Sequence, residues 1–373
     1  MVLFPRHVSR NHVGAIALIA FGVSFVAFAQ AGGNVAGTGA EGGTTKVPWR
    51  GSSMSYGHSL SAMTFAPNGD PFPTAYDADG RQIYNYNPTW AHNLLLLPEW
   101  HFNDAFFARG RLWITQEFTQ PDGLNRRYEV EFSDSLLDFG WAGWKEKYSG
   151  IRASANVRIG LPTSKLSQYR TQFLSVGPAA ILSRSFPVLS GLTLVYLGRV
   201  TGRFTRSTTA LTHAPLYAQP GGQISGACRD PLSADFACTD STNSGQRVPF
   251  LDLTHGGAVS FAPHETVSLD ATILFTRQWL YPVRSSGQGH DGEDEQIARS
   301  GGTVRDSTWF VLSAGWQFSK PVGIALTAFT IGPQLNSDGK YAFPLFNRNT
   351  VIYLDLTLNI EAITSRFTSS SQS

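Results

Sequence analysis

Charge and cysteine are scarce in this chain of 373 residues. Charged side chains make up 15% of it, against about a quarter in ordinary globular domains. The formal net charge is only +2 and no basic cluster with interleaved aromatic residues occurs, so the charge pattern predicts no nucleic-acid partner. After residue 30, no segment approaches the ~18 uninterrupted apolar residues of a membrane-spanning helix. Aromatic residues reach 12% and glycines number 37, which favours apolar β-strands joined by glycine-bearing turns.

The stretch 349–360 indicates where such strands would lie. Aliphatic residues occupy every second position, and that period fits a β-strand and not a helix. Residues at roughly 3.3 Å each give about 40 Å over this stretch, and a tilt near 45° leaves about 28 Å, close to the hydrocarbon thickness of a bilayer. The pattern therefore predicts a strand that crosses a membrane. The aliphatic residues are Ile352, Leu354, Leu356, Leu358 and Ile360.

Similar alternation, bounded by turn residues, recurs along the chain and predicts twelve strands. The pattern is diluted in the first segment, and in the fourth it fades after Phe132. The segments are 53–65, 90–102, 105–118, 126–139, 148–161, 170–185, 189–206, 247–262, 266–281, 306–319, 322–335 and 349–361.

The connections between these segments alternate in length. Those after segments two, six, eight and ten are short, and the one after segment four, 140–147, is somewhat longer. Connections after odd-numbered segments are mostly long, especially 66–89, 207–246, 282–305 and 336–348. Bacterial outer-membrane barrels have short periplasmic turns, long extracellular loops and an even strand number. Because lipid offers backbone groups no hydrogen-bond partner, such strands must close on themselves. The sequence predicts an all-β fold, a closed antiparallel transmembrane β-barrel of about 12 strands with both termini on the periplasmic side.

The N-terminal segment differs from the rest of the chain. Arg6 and Arg10 precede an apolar run from Val13 to Phe28, and the small residues around Ala29 fit a signal-peptidase site. A cleaved signal peptide is predicted, the alternative being a retained membrane anchor. The predicted organisation is a signal peptide over 1–29, a flexible periplasmic leader over 30–52, the barrel over 53–361 and a polar tail over 362–373.

The two cysteines, Cys228 and Cys238, lie close together in the long stretch 207–246. In an exported protein such a pair predicts a disulfide that staples a loop. Metal binding would need further ligands, and none stands at a recognisable spacing, so neither a metal nor any other cofactor is predicted. If the stapled loop binds a partner, the barrel serves only as its anchor.

Tryptophans cluster at predicted strand ends, as expected for aromatic belts at the two membrane interfaces. Trp113 is the exception, since it lies mid-strand and on parity points into the lumen. The predicted belt consists of Trp90, Trp100, Trp141, Trp144, Trp279, Trp309 and Trp316.

Alternate side chains of a strand point to opposite faces, so if the apolar positions face lipid, the positions between them face the inside of the barrel. Several of those inward positions hold charged residues. The arginines favour one arc of the wall and the aspartates a different one, and opposed rows of charge orient solutes in a narrow pore. The alternative is that these residues pair and fill the lumen. The fourth segment adds Arg127, Glu129 and Glu131. The predicted pore-lining residues are Glu99, Arg109, Arg111, Glu117, Arg152, Arg158, Arg199, Arg203, Asp252, Asp270 and Asp355.

No catalytic constellation stands out, so the chain is predicted not to be an enzyme. The pairs His58-Ser59 and His92-Asn93 are isolated, His255 and Ser260 are not at a productive spacing along one strand, and no Gly-x-Ser-x-Gly elbow or His-x-x-x-His pair occurs. The acidic run at 291–295 is either a solvated loop or a cation site beside lipopolysaccharide. An outer-membrane lipid hydrolase would need a serine and a histidine that meet on neighbouring strands.

The run Val157 to Thr163, with its Gly160-Leu161-Pro162-Thr163 ending, resembles a strand-to-loop junction in a family of exported barrels. These are the Gram-negative outer-membrane proteins of the MetA-pathway phenol-degradation transporter type. The hairpin from Trp309 through Ile331 to the final strand is similar in layout. The resemblance implies a barrel of about twelve strands that passes small hydrophobic or aromatic compounds.

These observations predict an outer-membrane channel for small solutes, embedded in outer-membrane lipid and lipopolysaccharide. Two alternatives stay open. One is a structural barrel whose stapled loop binds a partner, and the other is a lipid hydrolase.

Overall fold

The computed structural model describes residues 47–62, 90–119, 128–211, 243–282, 303–333, 345–346 and 350–364. Within them the chain is almost entirely β-structure, with short helices at Lys165–Tyr169 and at 360–364. No helix in these ranges combines the length and apolarity needed to cross a bilayer. The strands are β1 (Ser53–Ser61), β2 (Trp90–Leu97), β3 (Glu99–His101), β4 (Phe106–Glu117), β5 (Val130–Phe132), β6 (Ser135–Lys145), β7 (Arg152–Leu161), β8 (Gln172–Phe186), β9 (Gly191–Thr205), β10 (Thr209–Leu211), β11 (Asn243–Arg247), β12 (Pro249–His264), β13 (Val267–Leu280), β14 (Val304–Ser319), β15 (Val322–Pro333) and β16 (Val351–Asn359).

The strands form a closed antiparallel barrel with twelve positions in its wall. The first strand closes the barrel by pairing with the last, as Met54 with Leu358 and Ser61 with Val351. Two wall positions are split, one into β2 and β3 and the other into β5 and β6, which share β4 as their neighbour. The strands β10 and β11 form a separate two-stranded sheet. The predicted all-β barrel of about twelve strands is confirmed.

The fourth predicted segment, 126–139, is wrong in position. The continuous strand is β6, which begins at Ser135, and only the three residues of β5 precede it. The break falls at Asp134, whose carboxylate accepts a hydrogen bond from the Ser164 N–H at 3.0 Å and another from the Ser167 hydroxyl. A side chain that binds backbone groups in this way competes with the strand ladder.

Tight turns join neighbouring strands at one end of the barrel. Two residues join β12 to β13 and two join β14 to β15, and the turns 102–105, 146–151 and 187–190 lie at the same end. This is the short-turn end, and the opposite end is the loop end. At the short-turn end β1 begins and β16 ends, with Ser53 paired to Asn359.

The turn at 146–151 illustrates the local chemistry. The Glu146 carboxylate accepts hydrogen bonds from the backbone N–H groups of Tyr148, at 2.8 Å, and Ser149. The hydrogen bonds from Ser149 and Tyr148 lower the pKa of Glu146 below its ordinary value. Gly150 closes the turn with φ of 70°, a conformation that favours glycine.

The outward face of the barrel is apolar. Leu354, Leu326 and Leu269 are among many large hydrophobic side chains exposed there, Leu354 by 48%. The one outward arginine of β13, Arg277, forms an ion pair with Asp306 at 2.8 Å. An apolar girdle of this kind on a closed barrel fits a lipid environment.

Contacts at the short-turn end begin before β1. His101 N donates to Pro48 O at 2.6 Å, and Arg50 forms an ion pair with Asp104 at 2.9 Å. The predicted leader extends to residue 52, whereas in the structure 47–52 packs against the barrel. Directly after β16, Ile360 N donates to Ser52 O at 3.1 Å.

The apolar girdle gives a first prediction. Leu354→Arg places a charge near the middle of the outward face and should reduce the free energy of unfolding in phospholipid vesicles by about 2–4 kcal/mol. Phe318→Arg, on an outward residue near the short-turn end, should cost about 0–1 kcal/mol. Urea titrations of the two variants measure the difference. Equal losses would mean that the outward face is not in contact with hydrocarbon at this depth.

Candidate functional site

A diagonal row of residues, polar except for Gly177, lies on the inner wall of the barrel. Each member stands opposite the next on the neighbouring strand, because rows of paired residues run obliquely to the axis when strands tilt. The row starts on β3 beside the short turns and ends on the second residue of β14 at the loop end. We name this row the polar stripe. Its members are Glu99, Arg109, Asp138, Arg158, Gly177, Thr201, Asp252, Gln278 and Arg305.

Ion pairs connect neighbours in and beside this stripe. Arg158 donates to both oxygens of Asp138, from Nε and Nη2, each at 2.7 Å. Asp252 accepts from Arg203 Nε at 2.6 Å and from Gln278 Nε2 at 3.0 Å. Bidentate contacts of this type are the strong form of the charge-assisted hydrogen bond.

The prediction that arginines and aspartates occupy different arcs is wrong for the residues of the stripe. Asp252 binds Arg203 directly, and Glu99 binds Arg109. Asp138, which is missing from the predicted set, lies among the arginines. Parity identifies which side chains face inward, but it does not give the register that decides which of them meet. Among the predicted acids of the inner wall, Asp270 and Asp355 stand apart from the arginines, on β13 and β16.

At one level three arginines surround the carboxylate of Asp138, and Arg111 also interacts electrostatically with Asp134. Arg111, Arg158 and Arg199 interact electrostatically with one another and with Asp138. The four side chains are buried, with exposures of 3% for Arg111 and Asp138, 4% for Arg158 and 8% for Arg199. Three positive charges against one negative charge leave a formal excess of +2. We name these four residues the arginine cluster.

A cluster of buried apolar side chains lies beside the charged residues, and buried serine, threonine and asparagine side chains also face inward. One row of paired residues contains Ile331, Trp309, Leu274 and Leu197, and all four belong to a single buried cluster. Trp113 belongs to the same cluster and contacts Tyr353 with 6.2 Å between ring centroids, although two strands separate β4 from β16.

Several side chains on the inner wall near the middle of the barrel are shielded from water. Phe329 is 1% exposed, and Trp113 is buried as deeply as the arginine cluster. A wide water-filled lumen would expose such side chains. At this level the described side chains of the inner wall are therefore packed rather than open to water, and they combine a cationic cluster with aromatic and aliphatic groups.

The structure places all the predicted pore-lining residues on the inner wall. Glu117 and Asp270 are buried, whereas Arg152 and Asp355 are half-buried. Of the additional predicted residues, Glu129 and Glu131 bind Lys165 near the loop end, at 2.6 and 3.1 Å, and Arg127 lies outside the described residues. Their role in lining a pore stays a prediction.

One tryptophan of the predicted belt is misplaced. Trp309 is 3% exposed, faces the interior and contacts Phe329 at 5.8 Å between ring centroids. Because β14 begins at Val304, Trp309 lies well inside the strand and its odd position directs it inward. The other members stand at strand ends on the outward face. They are Trp90 and Trp279 at the loop end, and Trp100, Trp141, Trp144 and Trp316 at the short-turn end.

The structure also brings together two histidines that look isolated in sequence. His58 and His92 are directly paired on β1 and β2, face outward, and lie 4.2 Å apart between ring centroids. Trp90 Nε1 donates to His58 Nδ1 at 3.2 Å, and the Tyr56 hydroxyl lies 2.9 Å from His92 Nδ1. Within the described part of the chain, the partners of these rings are aromatic residues and each other, not a serine. Tyr56 and His58, like Trp90 and His92, are two residues apart, which could have indicated that each pair shares one face of its strand. Which residues of β1 and β2 stand opposite each other depends on the register and could not be read from that spacing.

The predicted disulfide between Cys228 and Cys238 and the acidic run at 291–295 lie outside the described residues.

Comparison with solved structures finds membrane barrels at low sequence identity. An outer membrane channel from Pseudomonas putida F1 is 10% identical with a TM-score of 0.45, over 86% of this chain and 99% of that one. The NanC porin is 8% identical with a TM-score of 0.39, over 82% and 98%. The outer membrane phospholipase of Salmonella typhi is 10% identical with a TM-score of 0.29, over 86% and 94%. No family model and no curated protein matches the chain, so the resemblance to the phenol-degradation transporter family stays a prediction.

The buried ion pair gives a second prediction. Asp138→Ala leaves Arg158 buried without its carboxylate and should reduce the free energy of unfolding by about 3–5 kcal/mol. Replacing both partners, as Asp138→Leu with Arg158→Met, should return most of that loss because no lone buried charge remains. Urea unfolding in vesicles compares the two variants. If the double variant is no more stable than Asp138→Ala, the pair is not buried as the structure has it.

Proposed function

We propose that this chain is an outer-membrane channel for small solutes, with a narrow path that side chains close in the resting state. The observation that carries the proposal is the polar stripe, which runs on the inner wall from the short-turn end to the loop end. A barrel that served only as an anchor would not need a polar path between its two ends, and apolar packing would fill it more stably.

The filled interior limits what can pass. Solutes would move by displacing side chains, so the path is selective and its ionic conductance is low. Long arginine side chains exchange partners without backbone movement, which makes the stripe side of the interior the mobile one. The apolar rows beside it suit solutes that carry an apolar part, in line with the small hydrophobic or aromatic compounds that the family resemblance implies.

The outward face of the barrel supports the proposed location in the outer membrane. Apolar side chains cover the outward face, and tryptophans stand at both ends of the strands. Together with the predicted signal peptide, these features support export and insertion into the outer membrane of a Gram-negative bacterium, in contact with its lipid and lipopolysaccharide.

The channel is tested by conductance and by solute uptake. Purified barrel in planar bilayers should give small currents, and vesicles that contain it should swell in small uncharged solutes more rapidly than empty vesicles. A folded barrel that gives neither current nor swelling would remove the channel function.

A cavity variant tests the filled interior. Phe329→Ala removes a buried ring from the apolar side of the interior and should raise the single-channel conductance severalfold, because it opens space where the barrel is closed. Leu326→Ala, on an outward residue of the same strand, is the matched control and should leave the conductance unchanged. Unchanged conductance in Phe329→Ala, with a folded barrel confirmed by its gel migration, would contradict a path through the barrel at this level.

A further inference from the structure

Two buried guanidinium groups in the arginine cluster have donors that no described residue binds. Arg158 uses Nε and Nη2 on Asp138, while its Nη1 has no hydrogen-bond partner among the described residues. The Nε of Arg199 likewise has none in this part of the chain. A buried donor without a partner costs free energy, and for a charged group the cost is larger. Such groups in a native interior call for an acceptor.

The charge of the cluster points to an acceptor that is negative. The four residues carry a formal excess of +2, and although Asp134 also interacts with Arg111, Asp138 is the only carboxylate among the described residues that interacts with Arg199. Guanidinium donors form a planar fork that matches the two oxygens of a carboxylate. An incoming carboxylate would satisfy the donors and reduce the excess charge.

The surroundings favour a carboxylate with an apolar part. Leu197 lies two residues before Arg199 on the inner face of β9, and Ile181 pairs with Leu197 across to β8. Both belong to the buried apolar cluster, as do Ala179, which pairs with Arg199, and Trp113, two residues after Arg111. Charge and apolar surface thus meet at one level of the barrel.

We propose that the arginine cluster is a binding site for a small monovalent carboxylate that carries a short apolar group. This inference names the solute class of the proposed channel. Only the passage of the solute through the barrel depends on that proposed function. Binding itself needs only the folded barrel. The carboxylate contacts Arg199 and Arg158, and its apolar group lies toward Leu197 and Ile181.

Calorimetric titration of the purified full-length barrel in detergent at pH 7 tests the site, with butyrate as the probe and 1-butanol as its uncharged counterpart. Butyrate should bind and 1-butanol should not. Arg199→Met should weaken butyrate binding about tenfold or more, the effect of losing one charge-assisted hydrogen bond. Arg199 is chosen because its loss leaves no bound carboxylate partner behind.

Two further variants separate recognition from loss of structure. Arg184→Met removes an arginine from the outward face of β8, where it lies over the Phe186 ring, and should bind butyrate as the native barrel does. Asp138→Asn removes the competing carboxylate and should bind butyrate more tightly, a result that simple damage to the fold would not give. Heat-dependent migration on gels verifies that each variant is folded.

The outcomes are distinct for the site and for the channel. Absence of butyrate binding to the folded native barrel overturns the site, as does equal binding by Arg199→Met or equal binding of 1-butanol. If butyrate binds as expected while vesicles admit no solute, the site stands and the channel function fails. If uncharged solutes pass while butyrate does not bind, the channel stands and the solute class proposed here is wrong.

Discussion

Backbone hydrogen bonding in lipid is the constraint on which the structure depends. Hydrocarbon offers no partner to a peptide N–H or C=O, so every strand needs a neighbour on both sides. Closure between β1 and β16 meets that need for the first and last strands. A closed barrel of tilted strands then has a second property, because paired residues on its inner wall form rows that climb around the axis. The polar stripe is one such row, and it connects the two ends although no single strand carries it.

The buried charged residues in and beside the polar stripe cost free energy of folding. Buried ion pairs lose hydration, and apolar residues of similar size in their place are often neutral or stabilising. Arg158 and Asp138 repay part of this cost through two short hydrogen bonds. Arg199 has no such pair and adds positive charge to a site that already has an excess. Local departures from stable packing of this kind concentrate at functional positions, which is why the cluster is a better candidate site than the paired residues around it.

The sequence predicts the wall of the barrel well because two-residue alternation is a local signal. The predicted strand 266–281 and the observed Val267–Leu280 differ by one residue at each end. The fourth strand fails where local signals conflict, since Leu136 and Leu137 are adjacent and the strand then passes a bulge near Gly143, with φ of 97°. Parity also directs Arg158 and Arg199 inward correctly. It would have directed Trp309 inward too, had the start of β14 not been placed at 306, two residues late.

The pairing of side chains could not be predicted, because it depends on register. The bond between Arg203 and Asp252 joins residues 49 positions apart in sequence, and the contact of His58 with His92 spans the long connection between β1 and β2. Register is the sum of strand tilt, bulges and turn geometry around the whole barrel, so no local pattern carries it. The excess charge of the arginine cluster is likewise a property of the closed barrel. Its members come from β4, β6, β7 and β9, and each strand alone shows at most three charged residues on its polar face.

The proposed path is compatible with packed side chains because the described side chains on the two sides of the interior differ in how they are held. Phe329 and Trp113 are held by packing, and Trp113 Nε1 also donates to Asn93 Oδ1 at 3.1 Å, so their displacement would open a cavity. A guanidinium group, by contrast, can leave one carboxylate for another at nearly constant energy, since the hydrogen bonds broken and formed are of the same kind. If the cluster binds a carboxylate as proposed, Asp138 competes with that carboxylate for the guanidinium groups, whereas an uncharged solute cannot take the place of Asp138. On that proposal, a preference for anions at the cluster would arise from this exchange of partners and not from the width of an open pore, and it would not prevent small uncharged solutes from passing.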